Sequence, residues 1–253
     1  MTENRGLNVT EKDTKRTDSR YLKIAVGNMY GFVTHMWSPL RGTCPHECKY
    51  CYVVKMAERF GNRLSEPRLD ERHFVDLGEG KTIFVCHMSD LFAEDIPSKW
   101  IEKVVNHCKK YPKNTYLFQS KNPERFRFYG LHEMENVILA TTVECDMGTE
   151  YNTYVSSAPL PWLRLSYVRQ NRIRGKWLIT IEPVLKFSSE FWKSLVGTKA
   201  DMIAIGADSK KCDLEEPTPD EVRNLIEQLR GTTKIFIKGN LKRLVPEYGE
   251  GWL

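Results

Sequence analysis

The sequence has no long uninterrupted run of apolar residues. None of its segments approaches the roughly 18 to 20 apolar residues that a membrane-spanning helix needs, and residues 1–20 lack the apolar core of a signal peptide. We therefore expect no membrane association and a cytoplasmic location. The sequence after residue 20 also lacks a Ser/Gly linker, a low-complexity tract and an internal repeat, which predicts one domain over residues 21–253.

The first twenty residues contain little that could be buried. Five basic and four acidic side chains lie among residues 1–20, so this segment is predicted to be a disordered N-terminal arm. Over all 253 residues, 41% are hydrophobic, and 38 basic against 33 acidic residues give a formal net charge of +5. These values exclude global disorder, and they allow a nucleic-acid partner without requiring one.

Seven short runs rich in Val, Ile, Phe and Leu are typical of buried strands. They are residues 31–37, 82–88, 115–119, 136–143, 177–181, 202–205 and 234–237. Between them, residues 98–110 and 220–229 carry apolar side chains at helical spacing. This alternation predicts right-handed crossovers, a parallel sheet and the α/β fold class, as a partial (βα)6 TIM-like barrel. Residues 163–168 alternate like a strand, although their flanks are equally compatible with a helix.

Three of the seven cysteines lie within eight residues. The segment reads Cys44-Pro-His-Glu-Cys48-Lys-Tyr-Cys51 and is followed by a helix-like segment. This CxxxCxxC spacing places three thiolates on one loop, where they can hold three irons of a cubic [4Fe-4S] cluster and leave the fourth iron without a protein ligand. An iron without a protein ligand is a place where a substrate or cofactor can bind.

Zinc and free thiols are the alternatives to an iron–sulfur cluster. A zinc ion could take its fourth ligand from His46, His35 or a distant cysteine, but zinc ribbons usually use two separated CxxC pairs and this sequence has no second pair. The iron–sulfur interpretation therefore fits the spacing better. The zinc alternative would give a different function, a zinc-stabilised nucleic-acid-binding protein without catalysis.

The cysteine motif also has a recognisable context. Tyr50 directly precedes the third cysteine, and the motif follows the first strand of a βα repeat, which resembles the radical S-adenosylmethionine (radical SAM) superfamily. Its Cys-x-Tyr-Cys-Tyr ending is locally similar to that of spore photoproduct lyase. Over roughly residues 30–240 the sequence resembles a small phage-associated radical SAM group of unknown function. The segments that carry this resemblance are Trp37-Ser-Pro-Leu-Arg-Gly42, Met88-Ser-Asp-Leu-Phe92, Ser120-Lys-Asn-Pro-Glu-Arg-Phe126, Thr141-Thr-Val-Glu144 and Ile181-Glu-Pro-Val-Leu185.

The resemblance implies an enzyme with two cofactors. In radical SAM enzymes a reduced cluster donates an electron to S-adenosylmethionine, which breaks into methionine and a 5′-deoxyadenosyl radical that takes a hydrogen atom from the substrate. The family pattern implies that Cys44, Cys48 and Cys51 ligate the cluster. It also implies an electron donor such as flavodoxin or ferredoxin as a partner.

Several cofactor-binding residues follow from the same resemblance. Tyr50 would lie beside the adenine. Many relatives have a Gly-Gly-Glu-like strand end that binds the methionine ammonium, and this sequence lacks it. Ser89 and Asp90 are expected to replace it, with Asp90 pairing with the ammonium. The alternative for Asp90 is that it caps the following turn.

Four further polar residues are expected to end parallel strands, where α/β barrels place their sites. Lys121 would pair with the cofactor carboxylate, and Ser120 would hydrogen-bond near it. Glu144 and Glu182 would accept hydrogen bonds from the ribose hydroxyls. The alternatives are a solvated Lys121 and a Glu182 that serves as a turn acid before Pro183.

The other four cysteines are scattered along the chain, so we expect one cluster. Cys108 lies on the apolar stripe of a predicted helix and Cys86 within a predicted strand, and both are expected in the core. Cys145 follows Glu144 at a strand end. It is a candidate catalytic residue that could return a hydrogen atom to a product radical, and its alternative role is packing.

Residues 151–181 contain no acidic residue. Basic and aromatic side chains interleaved in this way suit phosphate contacts and base stacking, so a nucleic acid is a candidate substrate, with a peptide or a small molecule as alternatives. Lys238, at another strand end, is expected to face the cavity. The competing interpretation of the segment is a solvated basic face whose aromatics belong to the core. The interleaved side chains are Arg164, Arg169, Arg172, Arg174 and Lys176 with Tyr151, Tyr154, Trp162, Tyr167 and Trp177.

Overall fold

The computed structural model describes residues 20–27 and 29–253. The predicted N-terminal arm, residues 1–20, falls outside this range except for Arg20. The strands are β1 (Leu22–Ile24), β2 (His35–Trp37), β3 (Leu40–Arg41), β4 (Arg68–Leu69), β5 (Thr82–Val85), β6 (Thr115–Gln119), β7 (Val137–Thr142), β8 (Lys176–Ile181), β9 (Met202–Ile205), β10 (Lys234–Ile237) and β11 (Gly251–Trp252). The helices are α1 (Tyr52–Arg59), α2 (Ser98–Lys109), α3 (Glu150–Tyr154), α4 (Pro161–Gln170), α5 (Phe191–Val196) and α6 (Pro219–Leu229).

Nine of the strands form one sheet in the order β1-β2-β5-β6-β7-β8-β9-β10-β11. The seven central strands of this sheet run parallel, and they coincide with the seven predicted runs. They are β2, β5, β6, β7, β8, β9 and β10. The α/β class and the mostly parallel sheet are thus confirmed. The structure has seven parallel strands where six βα units were expected, because the first run is also a full member of the sheet.

The edges of the sheet differ from its centre. β1 pairs antiparallel with β2, and β11 pairs antiparallel with β10. Within the described chain the two outer strands do not pair with each other. Side chains approach each other there, since the ring of Trp252 on β11 stacks at 5.9 Å on Phe32, which lies between β1 and β2. Within the β10–β11 pair, the same ring meets Phe236 edge-on at 5.1 Å. We call these contacts the aromatic seam.

The helices follow the predicted spacing, with one correction. Residues 163–168 belong to helix α4, so the strand interpretation is wrong. Pro161 begins the helix, and Pro161, Arg164, Leu165 and Val168 are its buried residues, at the i, i+3, i+4 and i+7 spacing of a helix face. The sequence misleads because Arg164 is a charged residue in a buried position. None of the described helices is long and apolar enough to cross a bilayer.

On the inner face of the sheet, the side chains change from apolar to polar toward the carboxyl ends of the strands. An apolar cluster that includes Leu117, Ala140, Leu178 and Phe236 fills this face. Side chains on one face of a strand recur every second residue. Two residues further toward the carboxyl ends of these four strands, the side chains on the same face are polar. These positions, which we call the inner polar layer, are Gln119, Thr142, Thr180 and Lys238. The carboxyl ends of the parallel strands are therefore where polar chemistry can take place.

Candidate functional site

A cavity of about 620 Å³ opens at the carboxyl ends of the parallel strands. This volume lies within the range of small-molecule and cofactor sites. The structure brings all but two of the predicted site residues to its wall, and the two that do not line it are Glu144 and Cys145. The predicted residues that line the cavity are Cys44, Cys48, Cys51, Tyr50, Ser89, Asp90, Ser120, Lys121 and Glu182.

The cysteine loop, residues 44–51, is a sequence of tight turns that ends in helix α1. Glu47 has a positive φ of 47°, and the backbone N–H of Cys51 donates to the Cys48 carbonyl at 3.0 Å. Cys51 is the N-cap residue of α1. Local turns and the helix start therefore bring the three thiols to one side of the cavity.

The loop is also fixed to the segment before α4. The backbone N–H of Lys49 donates to the Val155 carbonyl at 3.0 Å. The hydroxyl of Ser156 donates to the His46 carbonyl at 2.8 Å, and the Cys48 sulfur lies 3.1 Å from that hydroxyl oxygen. These contacts fix the middle of the loop from outside the cavity.

Asp90 is surrounded by donors from three parts of the chain. Its Oδ2 lies 2.8 Å from His46 Nε2, and it accepts from the Ser120 hydroxyl at 3.0 Å and the Lys121 backbone N–H at 2.8 Å. Its Oδ1 accepts from the Phe92 N–H at 2.9 Å. Burial alone would raise the pKa of Asp90, but His46 and these hydrogen bonds outweigh burial and lower the pKa.

Glu144 is fully buried and forms a second set of contacts. Its Oε1 accepts from the hydroxyls of Tyr50 and of Tyr151, the latter at 2.9 Å. Its Oε2 lies 3.0 Å from Nη1 of Arg164, which is itself buried. Burial would raise the pKa of Glu144, but the charges of Arg164 and Lys121 and the Tyr50 hydrogen bond lower it to about 2.

Lys121 connects this set to the cavity. Its Nζ lies 3.7 Å from Glu144 Oε1 and 5.1 Å from the centre of the Tyr50 ring. Burial would lower the pKa of Lys121, but its electrostatic interactions with the neighbouring Cys48 and Glu144 side chains raise it. The ammonium therefore stays charged in the wall beside the cysteine loop.

A separate polar group forms around Glu182. Its Oε2 lies 3.0 Å from Nζ of Lys238, and its Oε1 accepts from the Asn240 amide at 2.8 Å. The Lys238 ammonium lies 4.3 Å from the centre of the Tyr30 ring, and the Tyr30 hydroxyl donates to Gln119 at 3.0 Å. Lys238 faces the cavity, as predicted.

Three thiols on one loop in the cavity wall are a donor set that an iron–sulfur cluster can use. Burial, together with the nearby Asp90 charge, raises the pKa of Cys44 to about 12, so this thiol stays protonated until a positive group binds beside it. In residues 20–27 and 29–253, no three His, Cys, Asp or Glu side chains converge on a position that could hold one ion. A cubic cluster does not need such convergence, because each cysteine binds a different iron.

Cys145 lies outside the cavity. It is fully buried in a small apolar cluster with Tyr151, Val155 and Leu185, and burial raises its pKa to about 12. This position matches the packing alternative. Cys108 and Cys86 both belong to the core, as expected, and Cys86 also contacts the cavity.

The basic segment does not contribute to the cavity. No residue from 151–181 lines it. Arg164, expected on a phosphate-binding surface, is paired with Glu144 inside the protein, and Tyr151 is buried beside it. Tyr154 and Trp162 are about half exposed on the outside. The predicted surface for phosphate contacts and base stacking is thus divided between the core and the exterior.

Some residues of the site have no sequence signal that assigns their role. His46 lies inside the motif, where the sequence indicates only a possible zinc ligand, while its contact with Asp90 joins residues 44 positions apart. Ser156 and Arg164 come from a segment far along the chain. Gln119 was recognisable only as the end of a predicted strand.

Comparison with solved structures shows the fold. A structure of spore photoproduct lyase with bound AdoMet and dinucleoside spore photoproduct is 11% identical, with a TM-score of 0.51 over 82% of this chain and 64% of that chain. A cysteine-to-serine mutant of the same enzyme is 13% identical, with a TM-score of 0.56 over 92% and 71%. SuiB of Streptococcus suis bound to S-adenosylmethionine is 12% identical, with a TM-score of 0.53 over 84% and 52%.

These structures are of radical SAM enzymes, so the chain shares the fold of that class. It spans less than two thirds of the length of the first of them. No curated protein sequence matches the chain significantly. A family model described as "Protein of unknown function (DUF5131)" matches residues 29–190, and the chain belongs to that family.

Proposed function

We propose that this protein is a radical SAM enzyme that uses one [4Fe-4S] cluster and S-adenosylmethionine to abstract hydrogen from a substrate. The observation that carries the proposal is the position of Cys44, Cys48 and Cys51 in the wall of one cavity at the carboxyl ends of the parallel strands. The likeness to two folds described with S-adenosylmethionine bound supports it. An electron donor such as flavodoxin or ferredoxin belongs to the same proposal.

Each part of the cavity wall has a role in this proposal. The three cysteines hold three irons, and when bound, the cluster and S-adenosylmethionine supply one-electron cleavage chemistry. Lys121 keeps a positive charge beside the Tyr50 ring, where it can pair with a carboxylate of the cofactor. Ser89, in the same wall, offers a hydroxyl for a hydrogen bond.

Glu182 and Glu144 are proposed to act in different ways. Glu182 lines the cavity and is held by Lys238 and Asn240, so an oxygen atom of fixed position can accept from a ribose hydroxyl. Glu144 does not line the cavity, and its oxygens already accept from Tyr50, Tyr151 and Arg164. Its effect on the cofactor therefore passes through the orientation of the Tyr50 ring. The packing of Cys145 favours a structural role for that thiol.

The charge of the cavity restricts the substrate. The wall has three lysines and three carboxylates, and burial lowers the pKa of His87, one of its two histidines, to about 4. Such a balanced wall suits an uncharged part of the substrate, so the phosphates of a nucleic acid would remain outside the cavity. A nucleic acid stays a candidate substrate on these terms. The charged residues are Lys121, Lys210 and Lys238 with Asp90, Glu182 and Asp208.

Anaerobic reconstitution tests the proposal. We expect brown protein with about four iron and four sulfide per chain, and release of 5′-deoxyadenosine when dithionite and S-adenosylmethionine are added. Cys48→Ala should abolish both. Cys212→Ala is the matched control, because that thiol is also partly exposed but lies outside the cavity wall. A colourless protein with one zinc would refute the proposal in favour of the zinc alternative.

A further inference from the structure

We infer that His46 is a positioning residue that fastens the cysteine loop, through Asp90, to the segment that follows strand β5. In this inference the Asp90 carboxylate serves the loop, and the cofactor ammonium must find other acceptors. The inference rests on the proposed function, because the loop is the proposed ligand of the cluster.

The position of His46 in the loop gives the contact its importance. His46 lies between Cys44 and Cys48, and its Nε2 is 2.8 Å from Asp90 Oδ2. Both side chains are more than nine-tenths buried. The backbone carbonyl of His46 accepts from the Ser156 hydroxyl and from the Ser157 N–H, each at 2.8 Å. The residue is therefore held on the cavity side by its ring and on the outer side by its carbonyl.

The hydrogen bonds of Asp90 leave little capacity for a cofactor. A carboxylate offers about four acceptor positions. Asp90 already accepts from the Phe92 N–H, the Ser120 hydroxyl and the Lys121 N–H, in addition to its contact with His46. An ammonium that bound to Asp90 would have to displace one of these donors. The donors join the segments that follow β5 and β6 to the loop, so displacing one would loosen the site.

A second contact fastens the other end of the loop. The Tyr50 hydroxyl donates to Glu144, which is held by Arg164. The loop is thus fixed to buried carboxylates on both sides of Cys48. Removing the His46 ring leaves the Tyr50 contact and the contacts of the His46 carbonyl in place, so the loop loses its cavity-side contact near Cys44 while the fold is retained.

Iron retention measures this role independently of turnover. Wild type, His46→Ala, Asp90→Asn and the double variant are reconstituted anaerobically, and the rate of iron release to an excess chelator is followed. We expect both single variants to release iron at least about tenfold faster than wild type, as for loss of a hydrogen bond to a charged group. The double variant should be no faster than the faster single variant, because both changes remove one contact.

Three further measurements separate positioning from other roles. His46→Gln keeps an amide donor that can reach Asp90 and should restore retention close to that of wild type. His107→Ala is the matched control, since His107 is a buried histidine on α2 outside the cavity and should release iron like wild type. The cluster-loaded single variants should bind S-adenosylmethionine within about threefold of wild type, because the hydrogen-bonded carboxylate is not the ammonium acceptor.

Two results would overturn the inference. One is wild-type iron retention in a folded His46→Ala protein. The other is an Asp90→Asn protein that retains iron but binds S-adenosylmethionine much more weakly, which would assign Asp90 to the ammonium. Failure of the wild-type chain to take up iron would instead overturn the proposed function, and this inference with it.

Discussion

At the scale of single residues, Glu144 joins the most distant parts of the site. Its buried carboxylate contacts Tyr50 of the cysteine loop, Tyr151 of helix α3 and Arg164 of helix α4. A buried charge that loses its partner is costly. The contacts of this one residue are therefore expected to matter for the stability of the whole domain.

Replacing Glu144 tests this expectation. In Glu144→Gln the guanidinium of Arg164 remains buried without a compensating charge, so we expect a loss of about 3–5 kcal/mol in the free energy of unfolding. Urea denaturation of the iron-free protein measures it. Glu227→Gln is the control, because its partner Arg230 is on the surface and such pairs contribute about 0–1 kcal/mol. A loss below about 1 kcal/mol for Glu144→Gln would contradict the prediction.

Glu144 also predicts a dependence of stability on pH. Its pKa in the folded protein is about 2, below its ordinary value of 4.5. Unfolded chains therefore bind this proton more tightly, and the stabilisation is fully present above pH 4.5 and is lost as the pH falls toward about 2. Denaturation curves across this window should show a smaller decline for Glu144→Gln than for wild type. Equal declines would show that other carboxylates dominate acid unfolding.

The sequence predicts residues of the site more readily than their contacts. Spacing identifies Cys44, Cys48 and Cys51, and the rule that strands end at the site brings Asp90 and Ser120 to the same wall. Charge partners are not readable in this way, because His46 and Arg164 reach their carboxylates only after folding. Arg164 even resembles a solvent-exposed cation in the sequence.

At the scale of elements, the approach to the cysteine loop depends on one glycine. Gly42 has a positive φ of 101°, and a Cβ atom there would lie 2.4 Å from the carbonyl oxygen of Glu66. The next residue, Thr43, donates its N–H to the Ser65 carbonyl at 2.8 Å. The backbone that leads to Cys44 therefore passes closer to residues 65–66 than any side chain allows.

Gly42→Ala and Gly61→Ala form a matched pair for this element. Both glycines have positive φ, but a Cβ at Gly61 meets no atom within 4 Å. We expect Gly61→Ala to cost about 1 kcal/mol from its backbone conformation alone and Gly42→Ala at least about 2 kcal/mol, because strain and collision add. Denaturation measures both. Gly42→Ala should also take up less iron, and equal behaviour of the two variants would contradict the role of close packing.

Elements are predictable where hydrophobic periodicity is undisturbed. The strands at residues 115–119, 202–205 and 234–237 have their predicted bounds, because each is an apolar run with polar flanks. β1, β3, β4 and β11 have two or three residues each and carry too little pattern to be recognised. Helix α4 was ambiguous because the buried Arg164 disturbs its apolar stripe.

At the scale of the whole molecule, the sheet is held by two kinds of contact. Seven parallel strands are joined by continuous backbone ladders, whereas the aromatic seam joins side chains of Phe32, Phe236 and Trp252. The seven strand runs followed from the sequence, although the fold predicted from them had only six βα units. The seam did not, because it depends on which distant segments meet at the two edges.

The aromatic seam has a consequence for motion. Rings can separate without breaking a backbone hydrogen bond, so the edges can open in small local fluctuations while the central ladders remain intact. Because β1 and β11 each pair with a strand on one side only, deuterium exchange should be fastest for their amides and slowest for those of β7 and β8. Trp252→Ala should accelerate exchange at the edges and leave β7 and β8 unchanged, whereas uniform acceleration would mean that the sheet opens only as one cooperative unit.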